Sequence, residues 1–64
     1  MVEKLREIRK ARGMTQGRLA TVTGINRVTI ARYETEKISP TLKNAEKIAE
    51  ALGVTVNELI GKEV

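Results

Sequence analysis

The segment from residue 15 to residue 34 constrains the fold of this chain most, because one glycine divides it into two short helical patterns. Gly24 ends the first pattern and supplies a left-handed turn that a residue with a Cβ resists, and Asn26 is a good N-cap for the second. On a helical wheel of about 100° per residue, Ile30 and Tyr33 can enter a core only if the opposite arc faces outward. That outward arc holds Arg27, Val28, Ala31 and Arg32. The segment therefore predicts a packed helix pair whose second member, running to about residue 34, presents a basic face.

Another helical pattern precedes this segment. It spans residues 2–12 and ends at Gly13, and Thr15 then caps the helix that runs up to the central glycine. The apolar stripe of this first pattern holds Val2, Leu5 and Ile8. Its remaining positions are mostly charged, which is typical of a surface helix with one face on a core.

Two more helices are predicted after a polar loop at residues 35–41. Thr41 caps the first of them and Gly53 ends it, while Thr55 and Glu58 fit a capping box that opens a short last helix. The apolar face of the longer helix consists of Leu42, Ala45, Ile48, Ala49 and Leu52. No segment shows the alternation of a strand, so the chain is predicted to be all-α with five helices.

Composition limits the functions that such a domain can have. The 64 residues are expected to form a single domain, residues 1–64, and they contain no cysteine and no histidine. The usual ligands of zinc and copper and the common general base are therefore missing. Since no carboxylate pair, glycine-rich phosphate loop or activated nucleophile can be assembled either, we expect no enzymatic activity, metal, cofactor or small-molecule ligand.

Charge is distributed unevenly along the chain. Residues 1–40 carry a net charge of +5, whereas residues 41–64 carry −1. A basic portion of this kind favours a polyanionic partner, of which nucleic acid is the commonest inside cells. No apolar run approaches the about 20 residues that span a bilayer, and no signal peptide is evident, so we expect a cytoplasmic protein without a membrane partner.

Several short segments together match a known pattern. They are residues 5–9, 13–16, 19–20, 24–25, 30, 34, 40–42, 48–54 and 57–59. In these segments the chain resembles the helix-turn-helix family of the Cro and phage-repressor type, the lambda-repressor-like DNA-binding domains. The resemblance covers nearly the whole chain. It implies a compact five-helix domain whose second helix spans the DNA backbone and whose third, the recognition helix, lies in the major groove.

The resemblance implies that three residues of the third helix meet base edges: Arg27, Val28 and Arg32. Arginine can donate two hydrogen bonds to O6 and N7 of a guanine, and valine can contact the methyl group of a thymine. A solvated basic face is the alternative for the arginines. For Val28 the alternative is inward packing, because it follows Ile25 by three residues.

Other polar residues match positions that contact the DNA backbone. Gln16 corresponds to a family glutamine that binds a phosphate and braces the first residue of the recognition helix. Asn26 and Thr29 resemble family residues that contact DNA phosphates and so fix the position of the protein on the DNA backbone. The alternative for each is a role as a helix cap or as an ordinary helix-surface residue. Thr35 and Lys37 lie in the loop that often contacts phosphates in this family.

The chain departs from the family pattern at two positions. After the recognition helix the family usually has a glycine-bearing turn, whereas this chain has Thr35 followed by Glu36. An acid there weighs against close approach of the loop to a phosphate. Gly17 replaces a commoner acidic residue, which weakens the second helix slightly but removes a charge that DNA would repel.

Two charged residues are expected to meet inside the domain. Arg9 falls between Leu5 and Val2 on the apolar arc of the first helix, and Glu34 lies beside Ile30 on the inner side of the third. A lone buried charge in either place would be costly. The sequence therefore predicts a partly buried ion pair, and the resemblance implies the same pair.

The leading hypothesis is a sequence-specific regulator, a repressor that binds double-stranded DNA as a homodimer on a pseudo-palindromic operator. The dimer interface is expected in the loop at residues 38–42 or around Val56, Asn57 and Ile60. The alternative is an antitoxin or antirepressor-type module that docks another protein. RNA binding has less support, because Tyr33 is the only aromatic residue and belongs to the predicted core.

Overall fold

A computed structural model describes residues 2–61. The predicted domain, residues 1–64, extends past this range at residue 1 and at residues 62–64, which lie outside the described residues. Within residues 2–61 the chain forms five helices and no strand. They are α1 (Leu5–Ala11), α2 (Gln16–Thr23), α3 (Arg27–Glu34), α4 (Leu42–Leu52) and α5 (Val56–Ile60). The predicted all-α class is confirmed.

The helix boundaries follow the capping residues that the sequence predicts. The side chains of Thr15, Thr41 and Thr55 accept hydrogen bonds from backbone N–H groups in the first turns of α2, α4 and α5. The capping box with Glu58 is also present. Gly24 ends α2 with φ 73°, a left-handed conformation that turns the chain sharply into α3.

The prediction for the start of the first helix is wrong by three residues, since α1 begins at Leu5 and not at Val2. The Leu5 N–H donates to the Val2 carbonyl at 3.1 Å, and the Lys4 N–H donates to the Leu59 carbonyl of α5 at 3.2 Å. This turn ties the N-terminal segment to α5 instead of continuing the helix. Val2 still enters the core, as its place on the apolar stripe predicts.

The core lies between the helices and draws on all of them. α2 packs against α3 and α4, α5 packs against α4 and α1, and α1 also contacts α3. The buried cluster comprises Val2, Leu5, Leu19, Ile25, Ile30, Tyr33, Ile48, Ala49, Leu52 and Leu59. The expectation for Leu42 is wrong: it is 66% exposed, because it occupies the first position of α4, one turn before the face that packs on the core.

None of the helices in residues 2–61 has the length and hydropathy of a membrane-spanning segment.

Candidate nucleic-acid interface

Helix α3 has one buried side and one exposed side. Ile30 is fully buried and Tyr33 nearly so, whereas Val28 is 58% exposed and Arg27 and Arg32 face solvent. The alternative in which Val28 packs inward is therefore wrong. The two arginines and the valine that the resemblance assigns to base contacts lie on the outer side of α3. The inner side of this helix packs in the core.

Hydrogen bonds fix both ends of α3. At its start the Asn26 Oδ1 accepts from the Val28 N–H at 2.8 Å, so Asn26 is an N-cap whose amide NH₂ group can still donate outward. Near its end the Tyr33 hydroxyl accepts from the Asn44 Nδ2 of α4 at 3.0 Å. Because these bonds restrain the helix at two points, its outer side chains project from a defined position.

A buried ion pair joins α1 to α3, as the sequence predicts. The Arg9 guanidinium donates to both carboxylate oxygens of Glu34, through Nε to Oε2 and through Nη2 to Oε1 at 3.1 Å. Its Nη1 donates to the Met14 carbonyl at 2.8 Å. The two side chains are 8% and 2% exposed. This bidentate geometry pairs both buried charges and holds α3 against α1.

The environment of Glu34 favours its charged form. Burial by itself raises the pKa of this carboxyl, but hydrogen bonds from Arg9 and Gln16 and the positive charges of Arg9 and Arg6 outweigh that effect. The pKa of Glu34 therefore lies below its ordinary value, and the ion pair is intact at neutral pH.

Gln16 takes part in the same buried network. Its Nε2 donates to the Glu34 Oε1 at 3.0 Å, so it braces the last residue of α3 and not Arg27, the first. The structure does not show the expected brace of the first residue. Gln16 is half-buried, and its second amide hydrogen can still donate to a phosphate. Its contact with DNA stays a prediction.

Thr35, Thr29 and Lys37, which are also predicted to contact the DNA backbone, differ in the hydrogen bonds that their side chains make within the protein. The Thr35 hydroxyl donates back into α3, to the carbonyls of Ala31 at 3.1 Å and Arg32 at 3.3 Å. A phosphate oxygen only accepts, so Thr35 must give up this bond to donate to DNA. Thr29 is half-buried and its hydroxyl makes no hydrogen bond within residues 2–61, while Lys37 is exposed.

Several predicted site residues share one shallow groove on the outer side of α3, which we call the α3 groove. Its lining consists of Val28, Ala31, Arg32, Thr35, Lys37 and Ile38. Gln16 instead lines a second depression with Arg6 and Thr35, above the buried ion pair. Arg27 and Asn26 belong to neither groove and lie at the opposite end of α3, where the helix begins.

Ile38 and Arg6 are among the lining residues that the sequence interpretation does not assign to the site. The sequence analysis places Ile38 in a dimer interface, because the sequence does not show that the loop folds back onto α3. Arg6 could have been found, because it lies three residues before Arg9 on α1 and thus on a neighbouring part of the same helix surface.

A family model described as "Helix-turn-helix" matches residues 5–59. Among individual proteins, the chain is 34% identical over 61 residues to the immunity repressor protein of Bacillus phage phi105, covering 95% of this chain and 42% of the relative. It is 38% identical over 60 residues to the cryptic phage CTXphi transcriptional repressor RstR of Vibrio cholerae serotype O1, covering 94% of this chain and 54% of the relative.

A third relative is an SPbeta prophage-derived uncharacterized transcriptional regulator of the helix-turn-helix type, YonR of Bacillus subtilis. It is 36% identical over 58 residues, which cover 91% of this chain and 54% of the relative. The chain thus spans about half of the length of these relatives. No solved structure matches the chain.

Proposed function

The chain belongs to the helix-turn-helix family of the Cro and phage-repressor type, and from this premise we propose that it is a DNA-binding transcriptional regulator that acts as a repressor. One observation carries the proposal: Arg27, Val28 and Arg32 are exposed on the outer side of α3, while the inner side of this helix is packed in the core. The proposal treats residues 1–64 as one DNA-binding domain, located in the cytoplasm and associated with DNA, and it involves no catalytic step.

The proposed contacts divide into two kinds. In the major groove, Arg27 and Arg32 would donate to guanine O6 and N7, and Val28 would contact a thymine methyl group. The phosphate contacts would fix the register of the helix on the duplex. We assign these to Gln16, Asn26, Thr29, Thr35 and Lys37.

We further propose a homodimer on a pseudo-palindromic operator, because three base-reading side chains give one domain little specificity. Of the two interfaces expected from the sequence, exposure favours the loop at residues 38–42. Leu42 is 66% exposed and lines no part of the α3 groove, whereas Val56 and Ile60 on α5 are half-buried. This leucine at the start of α4 has no role in the core and is therefore available for burial against a second copy.

The dimer is tested with Leu42→Ser, with Val22→Ser as the matched control, because Val22 is an exposed aliphatic residue on α2. We expect Leu42→Ser to abolish joint occupation of two half-sites in a gel-shift titration while a single half-site is bound as before. Unchanged joint occupation would contradict this interface, and a loss with Val22→Ser alone would move it to α2.

DNA binding itself is tested by titrating the protein with a random duplex at several salt concentrations. The observed association constant should fall steeply between about 50 and 200 mM salt. The logarithm of this constant, plotted against the logarithm of the salt concentration, should have a slope of about −0.9 per phosphate contact. A flat salt response would contradict DNA binding and favour a module that docks another protein. Gln16→Ala should weaken binding to all sequences alike, because it removes a proposed phosphate contact.

A further inference from the structure

The depression above the buried ion pair contains one charged side chain that the fold does not use. Its lining consists of Arg6, Arg9, Gln16, Ala31, Glu34 and Thr35. Arg6 is exposed on α1, and its side chain makes no hydrogen bond or ion pair within residues 2–61. The other polar side chains of this lining all make hydrogen bonds within the protein. The guanidinium of Arg6 therefore keeps its donors available for a ligand.

The charges in this depression favour an anion. Two arginines and one glutamate line it, a net charge of +1. Arg9 and Glu34 are paired by two hydrogen bonds, so the charge that remains is that of Arg6. Burial and the hydrogen bonds from Arg9 and Gln16 dominate the pKa of Glu34, and the positive charge of Arg6 lowers it further, which places Arg6 near this carboxyl.

The depression adjoins the α3 groove. The two share Ala31 and Thr35 in their linings. The α3 groove also holds Val28 and Arg32, two of the side chains that we propose meet base edges. Because the major groove of DNA is about 12 Å wide, a duplex whose bases meet α3 brings backbone phosphates close to the sides of this helix. The neighbouring depression is therefore placed to receive one of them.

We propose that Arg6 binds a DNA phosphate in this depression together with Gln16. The inference rests on the proposed DNA-binding function and adds a basic residue of α1 to its phosphate contacts. The planar guanidinium presents N–H donors in pairs that match two phosphate oxygens. Gln16 donates one amide hydrogen to Glu34, and its second would donate to the same phosphate.

A comparison of two exposed arginines separates the position of the charge from the charge itself. Arg6→Gln removes the proposed contact, and Arg12→Gln removes the same charge at the end of α1. Arg12 does not line the depression, and its Nη1 lies 3.7 Å from the place that a Cβ on Gly53 would take, beyond the end of α4. Arg6→Lys keeps the charge but not the paired donors. Each variant is titrated at several salt concentrations with a random duplex and with an operator selected from a random oligonucleotide pool, and its Tm is recorded.

We expect Arg6→Gln to bind both duplexes about tenfold more weakly at low salt, because a hydrogen bond to a charged group is lost. The slope of the logarithm of the association constant against the logarithm of the salt concentration should be smaller in magnitude by about 0.9 for each protein copy bound. Arg6→Lys should keep the parent slope, and Arg12→Gln should change affinity and slope less than Arg6→Gln does. The Tm of Arg6→Gln should stay within about 4 °C of the parent, as expected for an exposed position.

The sharing of one phosphate is tested with operators in which a single phosphate at a time is replaced by a neutral methylphosphonate. The parent should lose affinity when the shared phosphate is replaced. Arg6→Gln and Gln16→Ala should both lose less than the parent at that one position and as much as the parent at the others.

The outcomes distinguish this inference from the function on which it rests. If the parent binds DNA with the expected salt dependence but Arg6→Gln keeps its slope, the inference is wrong and the function stands. The same holds if Arg12→Gln changes the slope as much, because net charge then suffices, or if Arg6→Gln and Gln16→Ala respond at different phosphates. A fall in Tm of more than about 4 °C for Arg6→Gln would mean that Arg6 acts through Glu34, and would also overturn the inference. If neither the parent nor any variant binds DNA, both fall together.

Discussion

Val28 and Ile30 are β-branched aliphatic residues two positions apart on α3, and the fold uses them in opposite ways. Ile30 is fully buried in the core, while Val28 is 58% exposed in the α3 groove. The same contrast holds for charges, since Glu34 is buried in an ion pair with Arg9 whereas Arg32 faces solvent. The comparison teaches that side-chain type alone does not give a residue its role on this helix. The angular position around α3 does.

The inner and outer sides of α3 should differ in how much they contribute to the stability of the fold. Contacts of the inner side contribute to the free energy of unfolding, because they are buried and paired. Side chains of the outer side contribute little to folding and are available for the proposed contacts with DNA. Substitutions on the inner side should therefore change stability first, and those on the outer side should change binding without changing stability.

The largest effect is expected from breaking the buried ion pair. Arg9→Ala leaves the Glu34 carboxylate buried without its partner and should lower the free energy of unfolding by about 3 to 5 kcal/mol. A domain this small rarely has more than about 3 to 5 kcal/mol from its single core, so chemical denaturation should show a largely unfolded variant. A loss below about 1 kcal/mol would mean that water compensates the pair.

A double variant sharpens this result. Replacing both partners by apolar residues, Arg9→Met with Glu34→Leu, removes the uncompensated charge and should recover much of the lost stability. Failure to recover would indicate that the other hydrogen bonds lost in the double variant, from Arg9 to Met14 and from Gln16 to Glu34, contribute more to stability than the charge pair does.

The next effect compares the two aliphatic residues directly. Ile30→Ala should cost about 2 to 5 kcal/mol of unfolding free energy, because it opens a cavity in the core. Val28→Ala should stay within about 0.5 kcal/mol of the parent, as surface substitutions do. Urea titrations of both variants measure the difference. Equal losses would show that Val28 is part of the core and would break the comparison.

A smaller effect concerns pH. The pKa of Glu34 lies below its ordinary value of 4.5, so the folded chain holds the charged carboxylate more strongly than the unfolded chain does. Its contribution to stability is present above that ordinary value and is lost as the pH falls through the lower folded-state pKa. Between about pH 5 and 3, the Tm of Glu34→Gln should fall less than that of the parent. Glu46→Gln, which removes an exposed acid of α4, is the matched control, and identical curves for the parent and Glu34→Gln would contradict this role of Glu34.

The inner side of α3 was predictable from the sequence because it obeys periodicity. Ile30 and Tyr33 share a helical face, and a buried position for Arg9 requires an opposite charge nearby, so the core contacts and the ion pair with Glu34 follow from general rules. The cap at Asn26 was predictable for a similar reason, since only neighbouring backbone atoms are involved.

Features that depend on distant parts of the chain were not predictable in this way. The start of α1 is set by the hydrogen bond from Lys4 to Leu59, which no local pattern contains. The partner of Gln16 is set by the crossing of α2 and α3. The return of Ile38 onto α3 depends on the left-handed conformation of Glu36, which glutamate does not favour.

The most direct test of the division between the two sides of α3 is a paired measurement on Arg32→Ala. Its affinity for an operator selected from a random oligonucleotide pool and for a random duplex is compared with the parent, and its unfolding free energy is measured in parallel. We predict a loss of about 1 to 3 kcal/mol on the operator, with relaxed preference at one base pair, a smaller loss on random DNA, and unchanged stability. Equal losses on both duplexes, or a matching loss of stability, would contradict the account.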